Sequence, residues 1–164
     1  MAKILLLGLG NILLRDEGLG VKVVEKLKSL YHFPKEVLLL EGETGAFYLL
    51  PYLEKAEYLL VIDAIKGENK PGTLYFLNLN EFSESLLEKI SLHEINFLDL
   101  LNVLKFKGKS FREIWLAGIE PKSIEPGLDI SIEVKEKIEK LINLILLKLK
   151  DWGIAYSLKE RAVK

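Results

Sequence analysis

Three side chains far apart in sequence carry the chemistry this chain can offer: Glu17, Asp63 and His93. Glu17 lies between the glycine turn Gly8-Leu9-Gly10 and a helical pattern. Asp63 closes the most hydrophobic strand pattern, Tyr58–Ala64. His93 stands in Ser91-Leu92-His93-Glu94, an interruption between two helical segments. Together they form a candidate O, O, N metal set drawn from three separated loops. Carboxylate and imidazole ligands suit nickel, zinc, iron or manganese without choosing among them.

Spacing permits this set without requiring it, and each member has a plainer reading. Asp16 has the chemistry of an N-cap, and Glu17 beside it suits the positive end of a helix. An Asp at a strand end serves as a cap or as a loop hydrogen-bonder. A lone loop histidine is more often no ligand at all.

Other schemes fit less well. The glycine stretch departs from the dinucleotide pattern G-x-G-x-x-G, because Leu13 stands where the third glycine belongs. His93-Glu94-Ile95-Asn96-Phe97 lacks the second histidine of H-E-x-x-H. There is no G-x-S-x-G elbow. Asp16 and Asp63 have the composition of an aspartic dyad, but nothing in the sequence brings them together. His32 reads as a partner for the C-terminal end of the first helix.

Composition narrows the classes. The chain has 164 residues, 49% hydrophobic and 29% charged. That length suits one domain with a substantial core. A net charge of −1 gives no electrostatic case for nucleic acid or for an anionic membrane. No apolar run reaches the roughly 18 residues of a membrane span, and Met-Ala-Lys-Ile has no signal-peptide layout. The expected location is cytoplasmic. Cysteine is absent, which removes disulfides, thiolate metal sites and a cysteine nucleophile together. Absent glutamine and abundant Lys and Glu form a thermophile-like profile.

The elements that must position these residues alternate. Strands are expected at Lys3–Leu7, Val37–Leu40, Tyr58–Ala64, Thr73–Leu77 and Glu113–Ile119. Helices are expected at Gly18–Tyr31, Glu81–Ile90, Asn96–Phe106 and Ser131–Asp151. A short one falls at Ala46–Leu53, with Pro51 unfavourable inside it. The brief loop before Thr73 points to antiparallel pairing at a sheet edge. The Glu-Pro pairs within Glu120–Gly127 make that loop extended. The tail from about residue 153 is expected to be loosely held. The pattern predicts a single α/β layered sandwich with right-handed crossovers. Glu17 and Asp63 then fall at the carboxyl edge of the sheet, where such folds bind ligands.

The stretch Gly8-Leu9-Gly10-Asn11-Ile12-Leu13-Leu14-Arg15-Asp16-Glu17-Gly18-Leu19-Gly20-Val21 closely resembles the opening motif of the hydrogenase maturation proteases. The resemblance continues over nearly the whole chain. Val61-Ile62-Asp63-Ala64-Ile65, followed by Pro71-Gly72-Thr73, is similar to the family's second motif. Ile90-Ser91-Leu92-His93-Glu94 is similar to its histidine motif, and Gly118-Ile119-Glu120-Pro121 with Glu125-Pro126 to its late loop.

The resemblance implies a three-layer fold: a twisted, mostly parallel five-stranded sheet with helices on both faces. It implies an endopeptidase that removes the C-terminal extension from a [NiFe] hydrogenase large-subunit precursor after nickel insertion. It also implies that Glu17, Asp63 and His93 contact that nickel, either as catalyst or as recognition handle. A non-cleaving module that senses metal loading is the alternative. Two departures stand out. Glu41-Gly42-Glu43-Thr44 replaces the family's Asp-Gly-Gly-Thr, adding the carboxylate of Glu43 near the cleft. Leu92 stands where some relatives have proline. The basic run Lys105–Arg112 reads as a solvated loop or, more sharply, as a docking patch for the precursor.

Overall fold

The computed structural model describes residues 3–42, 46–81 and 95–160. The main sheet contains β1 (Ile4–Leu9), β3 (Val37–Gly42), β4 (Tyr58–Ala64), β5 (Leu74–Asn78) and β6 (Glu113–Ile119). A separate pair is formed by β2 (Tyr31–His32) and β7 (Ser157–Leu158). The helices are α1 (Leu19–Leu30), α2 (Leu50–Lys55), α3 (Ile95–Phe106), α4 (Ile132–Lys135) and α5 (Ile138–Asp151). The strand order is β3-β1-β4-β6-β5. Every pairing is parallel except that of β5, which runs antiparallel to β6 at the sheet edge.

The alternation of side chains explains why β1 and β4 are apolar almost throughout. Ile4 and Leu6 point into a core shared with Val23, Val24 and Leu27 of α1 and Leu141, Ile145 and Leu149 of α5. Leu5, Leu7 and Leu9 point the other way, against Leu53 of α2 and Leu100 and Leu104 of α3. A strand covered on both faces has no solvent side on which to keep polar residues. The result is the expected three-layer sandwich. The expected antiparallel edge strand is present as well.

Several boundaries differ for physical reasons. Pro51 is tolerated because it falls in the first turn of α2, where its missing N–H would bond to nothing. The long final helix is split into α4 and α5 around Glu136 and Lys137. α1 ends at Leu30, so His32 lies in β2 opposite Ser157 and does not close the helix. The expected loose tail is a correction. Ile154 is buried, β7 pairs with β2, and Tyr156 meets Tyr31 edge-on at 5.6 Å between ring centres. Those aromatic and ladder contacts hold residues 154–158. The expected helix Glu81–Ile90 and the interruption carrying His93 lie largely or wholly outside the described residues, as does Glu43.

Candidate active site

The site is built where the connections reverse direction. From β1 the chain crosses to β3 on one side, then returns to β4 on the other, leaving a crevice between the carboxyl ends of β1 and β4. Gly8 with Ile62 is the last rung between β1 and β4, so the next residues, Leu9 and Asp63, stand just beyond it while each still pairs with its other neighbour strand.

Gly10 turns the chain out of β1 with a φ of 128°, a conformation that only glycine adopts without strain. A Cβ at Gly10 would run into the carbonyl of Glu17 and would lie 3.5 Å from Asp63 Oδ1. The backbone of Glu17 therefore passes directly against Gly10, with the Asp63 carboxylate within van der Waals range of the same position. Gly8 is confined in a different way, since a Cβ there would strike the backbone of Gly20 in α1.

The segment after Gly10 is a closed turn. Asn11 Oδ1 accepts the Leu13 N–H at 2.9 Å, and Asn11 O accepts the Leu14 N–H at 3.1 Å. A 3₁₀ turn then spans Arg15–Gly18, in which the Glu17 N–H donates to Leu14 O at 3.2 Å. This turn packs against β4, the strand that carries Asp63. α1 starts only at Leu19, with Gly18 at its N-cap and no side-chain cap. The first helix therefore does not begin at the glycine turn, as a dinucleotide loop requires.

Asp16 caps nothing. It is completely buried, and its carboxylate accepts four hydrogen bonds from the loop that follows β6. Oδ2 receives the N–H of Lys122 at 2.9 Å, the N–H of Ser123 at 3.1 Å and the hydroxyl of Ser131 at 2.7 Å. Oδ1 receives the Ser131 N–H at 2.7 Å. Burial pushes this acid upward, but the hydrogen bonds from Ser131, Ser123 and Lys122 outweigh it and hold Asp16 below its usual range. With its oxygens committed to that loop, Asp16 is no half of an aspartic dyad.

Asp63 is buried at the end of β4, and its Oδ1 accepts the N–H of Ala64 at 2.8 Å. That bond fixes the carboxylate against its own backbone at the mouth of the crevice. Glu17 is half-buried. Of the three site residues expected from sequence, the structure sets the Glu17 backbone carbonyl and the Asp63 carboxylate next to Gly10; His93 lies outside the described residues. Among the described residues no three acidic, histidine or cysteine side chains cluster as a metal cage. The pair supplies hard oxygen donors, a chemistry compatible with a divalent ion.

A further buried acid, Glu120, was legible only as half of a Glu-Pro pair. Its Oε1 accepts the N–H of Gly67 at 2.8 Å, the N–H of Asn69 at 3.2 Å and the Tyr75 hydroxyl at 2.6 Å. It pins the loop after β4 to the start of the late loop. Burial, and then donation to the Glu120 carboxylate, raise the Tyr75 phenol above its ordinary value. The basic run lies elsewhere. Lys109 Nζ donates to Ala56 O at 2.6 Å, and Lys107 and Arg112 pair with Glu54 and Glu57 at 3.0 and 3.8 Å. These contacts belong to the amino-terminal edge of the sheet, opposite Gly10 and Asp63.

An α/β sandwich with a buried aspartate at its topological switch belongs to the class of folds that bind ligands at the carboxyl edge of the sheet. The hydrogenase maturation protease family profile (HycI) matches residues 21–148. The hydrogenase 2 maturation protease of Escherichia coli strain K12 is 36% identical over 153 residues, 93% of each chain. The solved structure of the hydrogenase maturating endopeptidase HybD from E. coli superposes with a TM-score of 0.86 at 34% identity. It covers 96% of this chain and 98% of that one. The [NiFe] hydrogenase maturation protease HybD from Thermococcus kodakarensis gives 0.67 at 28% identity, covering 89% and 98%. This chain belongs to the hydrogenase maturation protease family and is an endopeptidase.

Proposed function

We propose that this endopeptidase removes the C-terminal extension of a [NiFe] hydrogenase large-subunit precursor after nickel has been inserted. The observation that carries the reading is the close approach of the Glu17 backbone to Gly10 beside the Asp63 carboxylate, in a chain of this family. Nickel enters as cargo of the precursor. Two carboxylates and the imidazole of His93 form a donor set that leaves coordination positions for the precursor's own ligands.

In this reading Asp63, oriented by the Ala64 N–H, and Glu17, held by its 3₁₀ turn, grip the exposed side of the precursor's metal centre. His93 completes the grip. Nickel held there would supply Lewis-acid polarisation of a nearby carbonyl and water, or serve as a recognition handle alone. The chain's own residues align the scissile segment at the sheet edge, a positional effect that contributes substantially to rate. No helix of the described residues is long and apolar enough to cross a membrane. The net charge of −1 offers no draw to nucleic acid, and the reading places the reaction in the cytoplasm.

The test is incubation with nickel-loaded precursor, read as a mass loss at the precursor's C-terminus. Wild-type protein should shorten the precursor, and Glu17→Gln should not. Stable binding without mass loss would replace the endopeptidase reading with a non-cleaving sensor.

A further inference from the structure

Asp16 precedes Glu17 in sequence, yet its carboxylate turns away from the crevice and into the protein. All of its described hydrogen bonds reach residues 122–131, on the loop that follows β6. Its own N–H returns a bond to Ser123 O at 3.1 Å. A buried carboxylate is costly unless fully hydrogen-bonded. Here the bonds join two segments that share no strand of the main sheet and no helix.

The neighbouring residues reinforce the junction. Arg15 adopts a φ of 51°, an uncommon state for a residue with a side chain. It is held there by its N–H to Gly127 O at 3.0 Å and by its Nε to Asp129 O at 3.1 Å. Leu14 bridges to Gly127, and the Gly127 N–H donates to Leu13 O at 2.9 Å. From α1, Lys22 Nζ donates to Leu128 O at 2.6 Å. Backbone strain persists only where surroundings over-determine it, and it collects where a group must be aimed. The group so aimed is Glu17. Its N–H closes the turn on Leu14, and its carbonyl abuts Gly10 beside Asp63.

We infer that Asp16 is a positioning residue: its buried carboxylate ties the Leu14–Gly18 turn to the 122–131 loop and thereby fixes Glu17. This inference rests on the role proposed above for Glu17. The late loop is then part of the active-site scaffold, and its displacement disarms Glu17 without touching Asp63. Asp16→Asn is a sharp probe, because an amide presents an NH₂ to donors that now meet an acceptor. Ser131→Ala is milder, since it removes one hydroxyl donor and leaves the carboxylate.

The experiment has two readouts. The first is kcat and KM on nickel-loaded precursor, below each variant's melting transition, for wild type, Asp16→Asn, Ser131→Ala and Glu17→Gln. The second is amide hydrogen exchange of the protein alone. Asp16→Asn should lower kcat by about tenfold or more while KM changes less than about twofold, because misplacement acts on the reacting geometry. Ser131→Ala should give a smaller loss in the same direction. In Asp16→Asn, exchange should rise together at residues 14–18 and 122–131 while β1 and β4 stay protected. A folded Asp16→Asn protein with wild-type kcat, or exchange that rises only in the late loop, would overturn the inference. If Asp16→Asn fails to fold, an unchanged kcat in Ser131→Ala overturns it instead. Wild-type cleavage by Glu17→Gln would bring down the site reading itself and the inference with it.

Discussion

Ser131 donates twice to Asp16, once from its backbone N–H and once from its hydroxyl, each at 2.7 Å across 115 residues of chain. The two residues close the loop after β6 onto the turn that carries Glu17. Hydrogen bonds to a buried charge contribute more than neutral ones, and a buried group left unmatched is costly. Asp16→Asn should therefore destabilise the fold by about 3 kcal/mol, and Ser131→Ala by about 1.5 kcal/mol. Urea unfolding near neutral pH checks both. A cost below about 0.5 kcal/mol for Asp16→Asn would contradict the bond pattern.

The same carboxylate makes stability depend on pH. Asp16 is held below its usual 3.8 because the Ser131, Ser123 and Lys122 hydrogen bonds outweigh the upward push of burial. A depressed folded-state pKa gives stability that is complete above the unfolded-state value, about 3.9, and is lost as pH falls through the folded one. The stability gap between wild type and Asp16→Asn should thus be full near neutral pH and shrink below about pH 4. Paired urea titrations across that range measure the gap. A gap that widens on acidification would reverse the sign of the account.

Gly10→Ala is expected to be severe. The new Cβ meets the Glu17 carbonyl, and a φ of 128° suits no residue with a side chain. Strain and displacement together should cost about 3 kcal/mol and move Glu17 relative to Asp63. Thermal unfolding and the processing rate should both fall. A variant with unchanged melting temperature and rate would show that the close approach of the Glu17 backbone to Gly10 has no role.

The Tyr75 phenol offers an optical or NMR handle on the neighbouring loop. Its raised pKa comes from burial first and then from donation to Glu120. Glu120→Gln should lower it toward the ordinary value while also loosening Gly67 and Asn69, whose N–H groups share that oxygen. Titration of ring-labelled tyrosine by NMR follows the shift. An upward move would contradict the assignment of Glu120 as the charged partner.

The parts of this molecule readable from sequence are those set by local pattern. Leu5, Leu6 and Leu7 spell a strand buried on both faces, and Gly10 signals a turn where backbone must pass close to another segment. Asp63 could be placed at the carboxyl edge because β4 is apolar up to it. The short polar loop before β5 fixed its antiparallel course. Asp16 has the chemistry of a helix cap, but that chemistry is local, whereas its donors lie beyond residue 120. Periodicity carries no record of that pairing. The 3₁₀ turn at Arg15–Gly18 likewise delays α1 without changing the apolar spacing of Val21, Val24 and Leu27. The tail looked loose because two-residue strands leave no periodic trace; its hold comes from Tyr31, Phe33 and Tyr156 packing together. The Glu120 pin was hidden for the same reason as Asp16, since Tyr75 and Gly67 are its partners only in three dimensions.

We propose that Glu17, Asp63 and His93 meet nickel already carried by the precursor. The most direct measurement is mass spectrometry of precursor, nickel-loaded and nickel-free, incubated with wild-type protein and with His93→Ala. The account predicts a shortened C-terminus only for nickel-loaded precursor with wild-type protein, and a folded but inactive His93→Ala by circular dichroism. Equal cleavage of nickel-free precursor, or cleavage at the wild-type rate by His93→Ala, would contradict it.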